Sequence, residues 1–261
     1  MVQDLFVKLG LSAFGSLFVA VGLHTMNDGR KERAKSGRIA DIETTRIRDL
    51  RPGTAEVKGT AHPAEDATAL ESPITKTDAL ATQTEVEEWE SSGQGGGSWE
   101  TIHETETGVP IIVDDGTGEV RIELPSDGGL NVEQTRTEVG SGDEPPAAIR
   151  RYVENTADVD EAARRDFGPL SIGDRRRYSE GAVEPGEEVY VLGTAREEQG
   201  DWGERDFVID EPTDSGDFVL SDKSEADLVR EGKRGGLVPL AFGGLLAVVG
   251  TAVTLYPWLA L

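Results

Sequence analysis

Two apolar runs bracket the chain. Leu5–Met26 contains one charge, Lys8, and Leu237–Leu261 contains none. Each is longer than the ~20 helical residues that cover a hydrocarbon core of about 30 Å, so a membrane helix is predicted at each end. Tyr256 and Trp258 fall where an interfacial aromatic belt would sit. A cleaved signal peptide is the rival reading of the first run. It would call for a basic start and a small-residue cleavage site, whereas this run has Asp4 before it and Asn27 and Asp28 after it.

Between the two runs the apolar positions come in short, partly alternating stretches broken by Gly and Pro, which is strand patterning. Ala55–Ala61, Ala79–Trp89 and Ser98–Thr107 are the first expected strands, with Ser91–Gly97 as a flexible loop. Pro110–Val113 and Glu119–Leu124 flank Asp115-Gly116, a hairpin signal. Arg176–Val183, Glu188–Ala195, Phe207–Asp210 and Phe218–Ser221 follow as strands. Ala147–Phe167 has helical composition, in one or two short helices, with Asp158 and Glu161 spaced as a capping box. Ser126–Pro146 reads as a flexible, solvated insertion. Ser224–Glu231 reads as a helix leading through Gly235-Gly236 into the second span. The stretches Val57–Ala61 (VKGTA) and Val191–Ala195 (VLGTA) echo each other and hint at two similar β-units. The fold class expected is mainly β, a small barrel or sandwich, with a five-stranded OB-like barrel as one candidate for the first half.

The organisation that follows is a short external N-terminus (1–4), a span (5–26), a basic segment (27–38), a β domain (39–229, with the insertion at 126–146), a second basic segment (230–236) and a second span (237–261). Arg30, Lys31, Arg33, Lys35 and Arg38 follow the first span, and Arg230, Lys233 and Arg234 precede the second. By the positive-inside rule both clusters are cytoplasmic, which puts the β domain on the cytoplasmic face of a cell membrane crossed twice. Small residues recur at every fourth position: Ser12, Ser16 and Ala20 in one span, Gly243, Ala247 and Thr251 in the other. Such stripes fit either a packed antiparallel pair or a homo-oligomer contact.

Charge changes the picture of the domain. Residues 39–229 hold 46 of the 50 acids but 17 of the 26 bases, a net charge of −29, with Lys only at 58, 76 and 223. Self-repulsion of that size weakens a compact state in dilute buffer, while molar salt shortens the Debye length to about 3 Å and screens it. An acid-rich, Lys-poor surface resembles adaptation to a salt-loaded cytoplasm, as in halophilic archaea. The same balance argues against nucleic-acid binding, which needs basic side chains to neutralise phosphates.

Candidate chemistry is sparse. With no Cys in the sequence, disulfides, thiolate catalysis and Cys-ligated zinc are excluded for these residues. His24 ends a span; His62 and His103 sit on different expected strands without HExxH-type spacing. Gly93–Gly97 lacks the Lys of a phosphate loop, and there is no G-x-S-x-G elbow. Asp114, Asp115 and Glu119 offer oxygen ligands but not the EF-hand order, and turn formation accounts for them. No catalytic, cofactor-binding or metal-ligating residue emerges, and no cofactor is expected.

Several short motifs occur in order: Ile47-x-Asp49-Leu50-x-Pro52-Gly53, Val57-x-Gly59-Thr60-Ala61, Leu70-x-Ser72-Pro73, Val109–Val120, Tyr178–Glu180 and Pro185–Ala195, with spans at both ends. Together they resemble the GIDE family, also called the BAM ("beside a membrane") domain, whose best-known members are mitochondrial E3 ubiquitin ligases of the MULAN type. In those ligases a RING follows the second span. Here the sequence reaches Leu261 without one and without Cys, so the expectation is a domain that keeps the anchors and loses the ligase chemistry. The resemblance implies a membrane-tethered β domain that binds unidentified protein partners. The leading expectation is therefore a non-enzymatic interaction or scaffold protein. Its alternatives are a component of a ubiquitin-like ligase system working with a separate RING protein, and a membrane-bound hydrolase with an unrecognised carboxylate or His site.

Overall fold

The computed structural model describes residues 2–41, 43–91, 96–126, 128–156, 159, 175–199, 205–210 and 218–259. They form two units: a helix pair drawn from both chain ends, and a β domain spanning Glu43–Ser224.

In the helix pair, α1 runs Val2–Asp41 and the C-terminal helix runs Glu225–Leu259. We label the latter α3, after α2 (Ala147–Asn155) of the β domain. Both apolar stretches are long enough to cross a membrane, and only 11% and 17% of their apolar windows are buried, unlike the core helix of a soluble protein. Phe14, Leu17, Leu245 and Val248 point outward. Helix α1 continues through the basic segment because Lys, Arg, Glu and Ala favour helix. As expected, the helix that starts before Gly235-Gly236 continues through them into the second span. A Cβ on buried Gly236 would lie 2.7 Å from the Gly29 carbonyl oxygen, so close packing on α1 overrides the poor propensity of glycine.

Three glycines on each helix make that packing. Gly15, Gly22 and Gly29 meet Gly250, Gly243 and Gly236 in antiparallel order, each seven residues from the next. A seven-residue repeat holds one face toward a partner helix, and the missing side chains let the two backbones touch. Of the stripe expected from sequence, Gly243 and Ala247 lie against Gly22. The Ser12 hydroxyl donates to the Thr254 carbonyl (3.0 Å) and accepts from the Trp258 indole (2.9 Å). Ser16, Ala20 and Thr251 remain exposed.

The β domain contains twelve described strands: β1 Gly53–Pro63, β2 Leu70–Glu71, β3 Asp78–Ala79, β4 Ala81–Ser91, β5 Gly97–Gly108, β6 Ile111–Asp114, β7 Glu119–Ile122, β8 Gln134–Val139, β9 Arg176–Val183, β10 Glu188–Gln199, β11 Arg205–Asp210 and β12 Val219–Ser221. Five of them close a barrel in the order β1-β6-β7-β11-β10 and back to β1; β7 and β11 run parallel, the other neighbours antiparallel. This is OB-like connectivity. The barrel is not confined to the first half as expected, because β10 and β11 come from the second half and β10 closes the ring on β1. Val57, Ile111, Val113, Val120, Ile122, Val191 and Ile209 fill its interior.

The echoed VxGTA stretches have a structural basis. Val57 pairs with Val191, so the two stretches are related by a local two-fold axis. Thr60 then pairs with Asp114 on β6, as Thr194 pairs with Asp210 on β11. At each crossing a glycine admits the neighbouring strand: Gly59 lies on the Asp114 carbonyl, and a Cβ on Gly193 would lie 2.9 Å from that of Asp210.

A second, antiparallel sheet, β5-β4-β9-β8, is built from the long connections between barrel strands. The segment expected to be a solvated insertion contributes β8 to it. Gln134–Val139 is polar in every position but the last, so it lacks the alternation that marks a half-buried strand. Of the helix expected at 147–167, Ala147–Asn155 is present as α2; most of the remainder, with the proposed capping box at 158 and 161, lies outside the described residues, as does most of the 91–97 loop. Ile149 and Tyr152 of α2 pack with Val86, Tyr178, Ile74 and Val159 on one face of the sheet.

Candidate functional site

The motifs that stand out in the sequence are structural pegs. Glu180, 5% exposed on β9, accepts the backbone N–H groups of Ile74 (2.6 Å) and Thr75 (2.8 Å) and the Thr75 hydroxyl (2.6 Å). Ser72, fully buried, bonds Thr75 and Thr77 inside the same turn. The Ser72-Pro73 and Tyr178–Glu180 motifs therefore meet in space and fix the β2–β3 turn. Its tip places Lys76 at φ 63°, a left-handed conformation that suits glycine. Lys76→Gly is expected to raise stability by up to about 1 kcal/mol, read as a higher urea midpoint at unchanged m-value.

Glu56 is the other buried carboxylate of this kind. It is fully buried on β1 and accepts the Tyr190 hydroxyl (3.0 Å) and the Thr44 hydroxyl (2.6 Å), with the Lys58 ammonium at 3.5 Å. This ties the segment before the barrel to β1 and β10. In the β6–β7 turn Asp115 accepts the N–H groups of Ile47 (2.9 Å), Thr117 (2.7 Å) and Gly118 (3.1 Å), and Asp114 accepts that of Gly116 (2.7 Å). These bonds account for the Asp-rich turn that offered itself as a cation site.

Burial opposes ionisation of Asp115, but the Thr117 hydroxyl and the three N–H donors outweigh it and hold the carboxyl below its ordinary range. Burial pushes Asp222 and Glu187 the other way, helped at Glu187 by the nearby charges of Asp222 and Glu184. The Asp115 contribution is present above about pH 4 and is lost as pH falls through its folded value. The other two groups destabilise the fold once ionised, and that penalty is relieved as pH falls through their folded values toward the ordinary carboxylate range of about 4. The melting temperature is expected to rise as pH is lowered from 8 toward the ordinary carboxylate range and to fall below about 4; a monotonic fall with acidification would contradict this assignment.

The histidines stay apart in role. His24 faces Asp28 (3.6 Å) on α1, His62 is exposed on β1, and His103 contacts the Thr105 hydroxyl (3.0 Å) on β5. Among the described residues no group of three or more His, Asp or Glu is placed to hold a metal ion.

What the sequence reading missed is the second face of the four-stranded sheet, opposite α2. Trp89 of β4 pairs with Trp99 of β5, edge to face at 5.3 Å. The Arg177 guanidinium lies 3.8 Å from the Trp99 ring centre, and Arg175 lies over both rings at 5.8 and 5.3 Å. Glu138 on β8 pairs with both arginines, which holds its carboxyl below the ordinary range. Further along, Arg136 donates to the Ser179 hydroxyl (3.0 Å) and the Thr101 hydroxyl to Glu85 (2.9 Å). These residues belong to neither core cluster, and Thr101, Glu104 and Arg136 are exposed. Arg and Trp side by side on a sheet face that no other described element covers are the residue types enriched at protein interfaces. The signal was available as Trp89 and Trp99 flanking one hairpin and Arg175–Arg177 in a row, but the cluster exists only once β9 pairs with β4.

Comparison with known proteins agrees with the motif order. The GIDE family model, described as E3 ubiquitin ligase, matches residues 81–254, two thirds of the chain. The chain belongs to the GIDE family. The GIDE match begins at β4 and reaches into α3, so it takes in the open sheet face, most of the barrel and the second apolar helix. No curated protein and no solved structure matches.

Proposed function

We propose that this chain is a membrane-anchored interaction or scaffold protein: its two helices cross the bilayer and its GIDE domain stands on the cytoplasmic face. The observation that supports this reading most is the open face of the second sheet, with its Trp89–Trp99 pair and arginines, in a domain whose buried carboxylates Glu56 and Glu180 are committed to structural hydrogen bonds. Crosslinking in cells, followed by purification from native membranes, should return the same protein partners repeatedly. Return of none across several solubilisation conditions would overturn the reading.

The family's description favours one second reading, a component of a ubiquitin-like ligase system that relies on a separate RING protein. Deleting the gene would then change the pattern of conjugates in cell extracts, whereas the scaffold reading leaves it unchanged. Placement is tested separately. The sequence lacks Cys, so a single cysteine at Ser141 should resist an impermeant thiol reagent in intact cells and react after lysis.

A further inference from the structure

We propose that the open face of the four-stranded sheet binds the same face of a second copy of this chain, about a two-fold axis parallel to β4 and β9. The register gives the reason. Reading across the face, Glu104 stands opposite Glu85, which stands opposite Ser179, which stands opposite Arg136. The next row carries Glu87 opposite Arg177, and the last carries Trp89 beside Arg175. Acids therefore dominate the β5–β4 half of the face and arginines the β9–β8 half, relieved there by Glu138.

An axis between β4 and β9 lays β5 over the second copy's β8, and β4 over its β9. Glu104 then meets the second copy's Arg136, Glu87 its Arg177, and Trp89 its Arg175, with each contact repeated by symmetry. An isologous interface needs such self-complementarity.

Four strands at ~4.8 Å spacing and three rows of side chains cover about 400 Å² per copy, short of the roughly 800 Å² of a standard interface. The face alone thus makes a weak dimer. Anchoring both copies in one bilayer raises their effective concentration, and high salt screens the repulsion between two acidic domains.

The test uses the full chain with a single dye-labelled cysteine at Ser141, reconstituted in phosphatidylcholine vesicles in molar KCl, with energy transfer between donor and acceptor copies as the readout. Glu104 and Arg136 are both exposed, so their reversal leaves the fold intact, as an unchanged thermal melt will verify. Glu104→Arg alone and Arg136→Glu alone should each weaken association at least tenfold. Mixing the two variants, or combining both changes in one chain, should restore it. Energy transfer that is absent in the wild type, or unaffected by either reversal, or not rescued by the mixture, overturns the proposal. A monomer that still crosslinks to other proteins would leave the scaffold reading standing.

Discussion

Glu180→Ala is expected to be among the most damaging single substitutions in the β domain. The change removes the acceptor of three hydrogen bonds in one step. Ile74 is buried, so its N–H is left without a partner and out of reach of water, at a cost of about 1–3 kcal/mol. Thr75 is exposed and its donors recover solvent, yet the charge-assisted bonds are lost, each about twice as strong as a neutral one. The β2–β3 turn also loses its tie to β9, and Ile74 with it loses its place in the cluster beneath α2. A loss of about 3 kcal/mol is expected, set against the 5–15 kcal/mol of an ordinary domain. Urea unfolding of the full chain measures it. Glu180→Gln should cost less, because one amide oxygen still accepts. Equal stability of all three proteins would show that the carboxylate is not a peg.

The second large effect is expected in the helix pair. Gly22→Leu places a side chain where a Cβ alone would already lie 2.6 Å from the Gly243 carbonyl oxygen and 2.7 Å from the Ala247 backbone nitrogen. Those neighbours are backbone and have no rotamer with which to retreat, so the helices must separate or slide. The cost is at least the roughly 1–3 kcal/mol of an overpacked interior site. A Ser12→Cys/Thr254→Cys pair supplies the only thiols in the chain and reports on the contact at one end of the bundle. A short bis-maleimide should link the pair in the parent sequence and fail to do so with Gly22→Leu. Leu at exposed Gly10, where a Cβ meets nothing within 4 Å, is the control and should leave the link intact. Efficient linking in both would mean that the glycines do not hold the pair.

The parts of this structure that were legible in the sequence are those set by local pattern. The Asp115-Gly116 hairpin, the two apolar helices and the strand at Arg176–Val183 follow from turn chemistry, length and alternation over a few residues. What was not legible depends on partners distant in the chain. Strand β8 is an edge strand of the second sheet made of Gln, Thr, Arg and Glu, and nothing local separates it from a loop. The barrel could be suspected but not placed, because β1 closes against β10, more than a hundred residues later. The helix contact was sought at every fourth residue, the spacing of one helix face, whereas an antiparallel pair repeats its closest approach every seventh. The Trp and Arg face draws on residues from 89 to 177 across separate strands, and no sequence spacing announces it. The buried carboxylates were hidden by abundance: among 46 acids in residues 39–229, only packing distinguishes Glu56 and Glu180.

The central claim, that the open sheet face is where this anchored GIDE domain meets its partners, is tested most directly by photocrosslinking in intact cells. A photoreactive residue at Thr101, exposed on the edge strand β5 of that face, should give a few discrete and reproducible protein adducts. The same residue at Glu119, exposed at the β6–β7 turn of the barrel, should give none of them. Identical adducts from both positions, or none from Thr101, would contradict it.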